Sequence, residues 1–149
     1  MKKSKKVHST HAGPKLDKFT VPVVVLIFAL TWLIYLPSFD HEFLNWDDKN
    51  YVVDNPLVRG AENSVGDYFS TPVMLNYHPI TMMSLRLNKN ECKDCRYGIS
   101  AKPFIQTNVL LHILNALLVL SLMSLLFKLN AIQAGLVALL FALHPMHIE

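Results

Sequence analysis

Val21-Pro22-Val23-Val24-Val25-Leu26-Ile27-Phe28-Ala29-Leu30-Thr31-Trp32-Leu33-Ile34-Tyr35-Leu36 contains no charged residue. At about 1.5 Å per residue, such a run is slightly short for a hydrocarbon core of roughly 30 Å, but long enough to enter one. It reads as a first transmembrane helix over residues 19–37. Pro22 falls in its first turn, where a missing N–H matters little. Trp32 and Tyr35 suit the far interface. A secretory signal peptide also begins with a basic flank and an apolar run. The following Pro37-Ser38-Phe39-Asp40-His41 has no small-x-small cleavage pattern, so an uncleaved anchor is favoured.

On the N-terminal side, residues 1–18 hold six lysines (Lys2, Lys3, Lys5, Lys6, Lys15, Lys18) against the single acid Asp17. The net charge of +3 hides this asymmetry. A basic tail can bind nucleic acid. Beside an apolar run it is instead the mark of a cytoplasmic flank held near anionic lipid. His8 and His11 then read as solvated tail residues. The basic end stays inside and Pro37 emerges on the outer face. Hydrophobic residues make up 52% of the chain and are gathered into runs, as in membrane proteins.

On the C-terminal side, residues 38–103 form a long polar segment with nine acids and seven bases. Its turn signals are Asp54-Asn55-Pro56, Arg59-Gly60, Val65-Gly66 and Ser70-Thr71-Pro72. Asp67-Tyr68-Phe69-Ser70-Thr71-Pro72-Val73-Met74-Leu75 reads as a short apolar stretch. The spacing predicts an amphipathic helix over 79–87, with Ile80, Met83 and Leu87 on one face and an orientation in the interface plane. A second span is predicted over 104–127. A third, short one is predicted over 129–143, and residues 144–149 return to the outer face. Ala131, Gly135, Ala138 and Ala142 form a small-residue stripe suited to close helix packing. The expected fold is therefore an all-α membrane protein. It has three transmembrane helices and a large extracytoplasmic loop after the first, which carries short amphipathic and juxtamembrane helices. Three helices are too few to enclose a long lipid, so the chain reads as the N-terminal part of a larger protein.

Several residues in this frame can carry chemistry. Asp47 and Asp48 follow Trp46 in Phe43-Leu44-Asn45-Trp46-Asp47-Asp48-Lys49-Asn50-Tyr51. A carboxylate fixed beside an acceptor hydroxyl can take its proton as a new bond forms. Adjacent side chains diverge, so one acid is expected to be the base and the other a helper, through a metal or a basic partner. The pair also fits a solvated turn with Asp47 capping a short helix. His78 and Arg86 could face a leaving phosphate or simply lipid headgroups. Asn108, His112 and Asn115 recur on one face of the second span, as glue between helices or as site lining. His144, His147 and Glu149 form a compact group that could hold a divalent metal, with Asp48 as a further ligand, or could sit as interface residues. Cys92 and Cys95 have no second pair for zinc and no redox-fold context. A local disulfide in an oxidising compartment is expected.

Four collinear blocks carry a family resemblance: the stretch from Phe43 to Tyr51 with Asp54-Asn55-Pro56; Tyr77-His78-Pro79-Ile80-Thr81; Asn108-Val109-Leu110-Leu111-His112-Ile113-Leu114-Asn115-Ala116; and Leu140-Phe141-Ala142-Leu143-His144-Pro145-Met146-His147-Ile148-Glu149. In this order and spacing the chain resembles the N-terminal part of GT-C membrane glycosyltransferases related to protein O-mannosyltransferases, of the type with tetratricopeptide repeats. The resemblance implies many transmembrane helices and a large first extracytoplasmic loop. It implies inverting transfer of a sugar from a polyprenyl-phosphate donor to a hydroxyl, commonly of protein Ser or Thr, in protein glycosylation. The acidic pair of the loop then holds the catalytic base. That role falls on Asp47, with Asp48 beside it, and the block at His144 closes over the loop. The implied partners are the bilayer, the lipid-linked sugar and a protein acceptor, with no nucleic acid. Two other readings of the same residues are a non-catalytic membrane scaffold and a segment of a transporter.

Overall fold

The computed structural model describes residues 17–44, 46–60 and 62–144. Six α-helices follow one another among them: α1 Thr20–Tyr35, α2 Pro56–Arg59, α3 Val65–Ser70, α4 Pro79–Leu87, α5 Lys102–Leu126 and α6 Ala131–Leu143. No strand forms among the described residues; two isolated bridges, Val73 with Asn76 and Glu91 with Ile99, close turns.

Two stretches are long and apolar enough to cross a bilayer, Thr20–Asp40 and Lys102–Leu126. The first is α1 extended by a tighter 3-10 segment, Leu36–Asp40. Pro37 lacks the N–H that would continue α-helical bonding, so the last turn tightens. Ser38 Oγ donates to the Tyr35 carbonyl at 2.6 Å and satisfies one orphan acceptor. The expected first span of 19–37 thus runs on to Asp40. α5 begins at Lys102, two residues before the expected 104. α6 is only thirteen residues long, about 20 Å, and is shorter than a bilayer core. Its start is set by a reciprocal cap: Gln133 N donates to Asn130 Oδ1 at 3.0 Å, and Asn130 N to Gln133 Oε1 at 3.3 Å. Lys128, at φ 54, reverses the chain between α5 and α6.

α1, α5 and α6 pack against one another around Ile27, Ala116, Leu120, Ala134, Ala138 and Ala142. The small residues of α6 are buried together, Gly135 among them. A methyl added to Gly135 would lie 2.5 Å from Val23 Cγ1, so glycine is what lets α6 approach α1 this closely. The outward faces of all three helices are leucine-, valine- and phenylalanine-rich and exposed.

The segment between α1 and α5 is more than a surface loop. Val52, Leu57, Val58, Tyr68, Val73, Met82 and Ile99 build a second core, closed by Phe104 from the first turn of α5. Tyr68 Oη donates to the Leu57 carbonyl at 3.1 Å. α4 occupies the range predicted for an amphipathic helix, but its buried residues are Pro79 and Met82. Ile80 and Leu87, expected on an apolar face lying in the interface plane, are exposed, while Met83 of that face packs partly against the second core. The second core takes Met82 inward, which turns the Ile80 and Leu87 side out.

Candidate active site around the acidic motif

The acidic motif is held from both ends. Before it, the Phe43 ring packs edge-on against Phe104 at 5.3 Å and tilts against Tyr97 at 6.4 Å. After it, Val52 and Val53 are buried. Asp47 and Asp48 open a helical turn that widens into a π-helical segment, Lys49–Val53, closed by Asp54 N donating to the Lys49 carbonyl at 2.9 Å. π-turns are rare and recur at functional sites. Buried Asn55 fixes the exit. Its Oδ1 accepts from Leu57 N at 2.9 Å and so caps α2, while its Nδ2 donates to the Asn50 carbonyl at 2.9 Å. Asp54-Asn55-Pro56, predicted only as a turn, is an N-cap followed by proline in the first helical turn.

The two acids have different surroundings. Asp48 Oδ2 accepts the Leu44 N–H at 2.8 Å and clasps the loop that leads into the motif. Asp47 is exposed, and among the described residues its carboxylate has no hydrogen bond or ion pair. The capping role expected of Asp47 in the turn reading is not taken by Asp48 either, whose carboxylate bonds back to Leu44 and not to the helical turn.

The predicted partners are only partly assembled. His78 lies at the start of α4, with its ring 5.2 Å from the Tyr51 ring. Its Nε2 is buried without a hydrogen-bond partner. Asn76 Nδ2 donates to Tyr51 Oη at 3.4 Å. Tyr51 therefore ties residues 76–78 to the acidic motif, a link the Tyr77-His78-Pro79 block did not reveal by itself. Arg86 sits in the last turn of the same helix, about 12 Å along the axis from His78, and does not converge with it.

His112 joins helices instead of lining the acidic motif. Its Nε2 donates to the Ala142 carbonyl at 2.9 Å, an acceptor in the last turn of α6 with no partner inside its own helix. Its ring also packs against Tyr35 at 5.7 Å and Phe141 at 5.5 Å. Asn108 and Asn115, expected to share that gluing face, are exposed on α5. His144 follows α6 as its C-terminal cap residue and is exposed. His147 and Glu149 lie outside the described residues. Among the described residues no three His, Cys, Asp or Glu side chains come together as a metal site, and Asp48 is not grouped with His144.

Cys92 and Cys95 are joined by a disulfide, Cα to Cα 5.4 Å. Gly98, at φ 72, turns the chain back so that Cys92 N donates to its carbonyl at 3.1 Å. A cleft of about 260 Å³ opens nearby, lined among others by Asp40, Glu42, Phe43, Arg96 and Lys102, and Asp47 and Asp48 do not reach it. No family model, curated protein or solved structure matches this chain.

Proposed function

We propose that this chain carries the acceptor-activating part of a GT-C membrane glycosyltransferase. In this reading α1, α5 and α6 are membrane helices, the N-terminal tail is cytoplasmic, and residues 38–103 lie in the periplasm or a lumen. A sugar passes from a polyprenyl-phosphate donor to a hydroxyl, with inversion. Asp47 takes the hydroxyl proton as the oxygen attacks the anomeric carbon, and the bond to the donor phosphate breaks. The observation that carries the reading is the unequal setting of the acidic pair. Asp48 is engaged with the Leu44 N–H, and the neighbouring Asp47 carboxylate is held on a shaped turn with its oxygens free. A general base needs that freedom, along with a fixed position. Of the proposed phosphate-facing groups, His78 is the one whose ring packs, tilted, against Tyr51 of the acidic motif.

The test is Asp47→Asn in the full-length protein within its membrane. Transfer from a polyprenyl-phosphate sugar to a Ser/Thr peptide should drop by at least about a hundredfold, the lower range for a general base, with expression and insertion unchanged. Retained transfer defeats the assignment. One observation favours the scaffold reading instead: Asp47 is open to solvent. That reading gives wild-type protein with no transferase activity and an outer segment that captures a protein partner.

A further inference from the structure

Residues 73–76 form a tight reversal. Val73 N donates to the Asn76 carbonyl at 3.0 Å, and Asn76 N to the Val73 carbonyl at 2.9 Å. The two residues at the tip are Met74, φ 51, and Leu75, φ 64. Consecutive left-handed residues are the conformation that Asn-Gly takes readily and that branched or bulky side chains resist. Nothing in the fold's packing explains the choice of Met and Leu. Leu75 has a relative exposure of 101%, and Met74 is exposed too, so neither contributes to a core. An apolar pair kept in a strained turn and presented to the outside is an outlier that points to function.

The tip's neighbourhood is apolar as well. Residues 70–77 carry no charge, and Tyr77 is exposed at their end. Through Asn76 and His78 this segment is bound to Tyr51 of the acidic motif. On the other side of the motif, Leu44 and Trp46 are exposed, Trp46 at 80%. Both ends of the whole outer segment return to the two apolar stretches, where Lys102 Nζ lies 3.9 Å from Asp40 Oδ1. A segment tethered at both ends to membrane-length helices stays beside the bilayer. Exposed Leu, Met, Trp and Tyr without charge suit the boundary between headgroups and acyl chains.

We propose that the tip formed by Met74 and Leu75 inserts into the headgroup–acyl boundary of the bilayer and holds the acidic motif at that surface. The inference rests on the membrane reading of α1 and α5 and stands apart from sugar transfer. Its test uses the full chain in phosphatidylcholine vesicles. An environment-sensitive fluorophore on Leu75→Cys should emit blue-shifted light and be quenched by lipid carrying a nitroxide at a shallow acyl position. A water-like spectrum without quenching overturns the proposal, as does protection seen only when a second protein is added.

The paired variant Met74→Asn with Leu75→Gly separates this role from a structural one. It relaxes the turn, so the melting temperature of the outer segment should rise. In a Trp32→Phe background, quenching of Trp46 by the same lipid should be lost. A lowered melting temperature, or unchanged Trp46 quenching, overturns the proposal. Neither readout depends on the Asp47→Asn transfer assay.

Discussion

Asp47 and Asp48 are neighbours in the chain with opposite surroundings, and the difference comes from backbone direction alone. The turn that starts at the pair points one carboxylate back to the Leu44 amide and the other to solvent. Removing the Asp48 acceptor should therefore loosen the entry to the motif. Asp48→Ala is expected to cost about 1 kcal/mol locally, the usual net worth of one hydrogen bond. Amide hydrogen exchange at Leu44 should speed up accordingly, whereas Asp48→Asn keeps an acceptor and most of the protection. The acidic pair could be read from the sequence as a chemical candidate, because two acids beside Trp46 between apolar runs are uncommon. Which acid does the clasping could not, since it depends on the φ and ψ of a turn that runs into a π-helical segment. Tyr51 escaped notice for a related reason. Its contacts to Asn76 and His78 cross about 25 residues of chain, and no local pattern signals them.

Among the elements, α6 shows most directly how side-chain size sets helix distance. Gly135 faces Val23 so closely that a side chain there must push α1 away. Gly135→Val should destabilise the three-helix packing by about 1–3 kcal/mol, the range for overfilling a packed core. Thermal unfolding in detergent would show it, with Gly135→Ala less affected because the Val23 methyl can yield. The small stripe of α6 was legible because it repeats on one face, and the apolar runs of α1 and α5 were legible because they are continuous. The core-facing side of α4 was not. Its sequence offers Ile80, Met83 and Leu87 as an apolar stripe, yet Met82 is the residue taken into the core. Periodicity reports which residues share a face, and the packing partner decides which face is buried. The Asn108, His112 and Asn115 series makes the same point, because the histidine bonds to α6 while both asparagines are exposed.

For the whole molecule, Phe104 ties the outer segment to the long helices. The helices pack through Ile27, Ala116 and the alanines of α6, while the outer segment packs around Val58 and Met82. Phe104 stands in the first turn of α5 yet belongs to the outer core, and it also receives Phe43. Phe104→Ala should lower the stability of the outer segment by about 3–5 kcal/mol, the usual loss for a buried phenylalanine. Hydrogen exchange should rise at Val58 and Met82 and stay unchanged at Ala138. That outer core was hidden from sequence reading because Val52, Leu57, Tyr68, Val73 and Ile99 come from short, widely separated stretches with no common period. Its ends, however, meet at Asp40 and Lys102. A unit whose entrance and exit coincide behaves like a bead hung from a closed ring: insertions or deletions within it leave the distance between the two long helices untouched. Such a bead can be lengthened or trimmed without disturbing the helical frame beneath it.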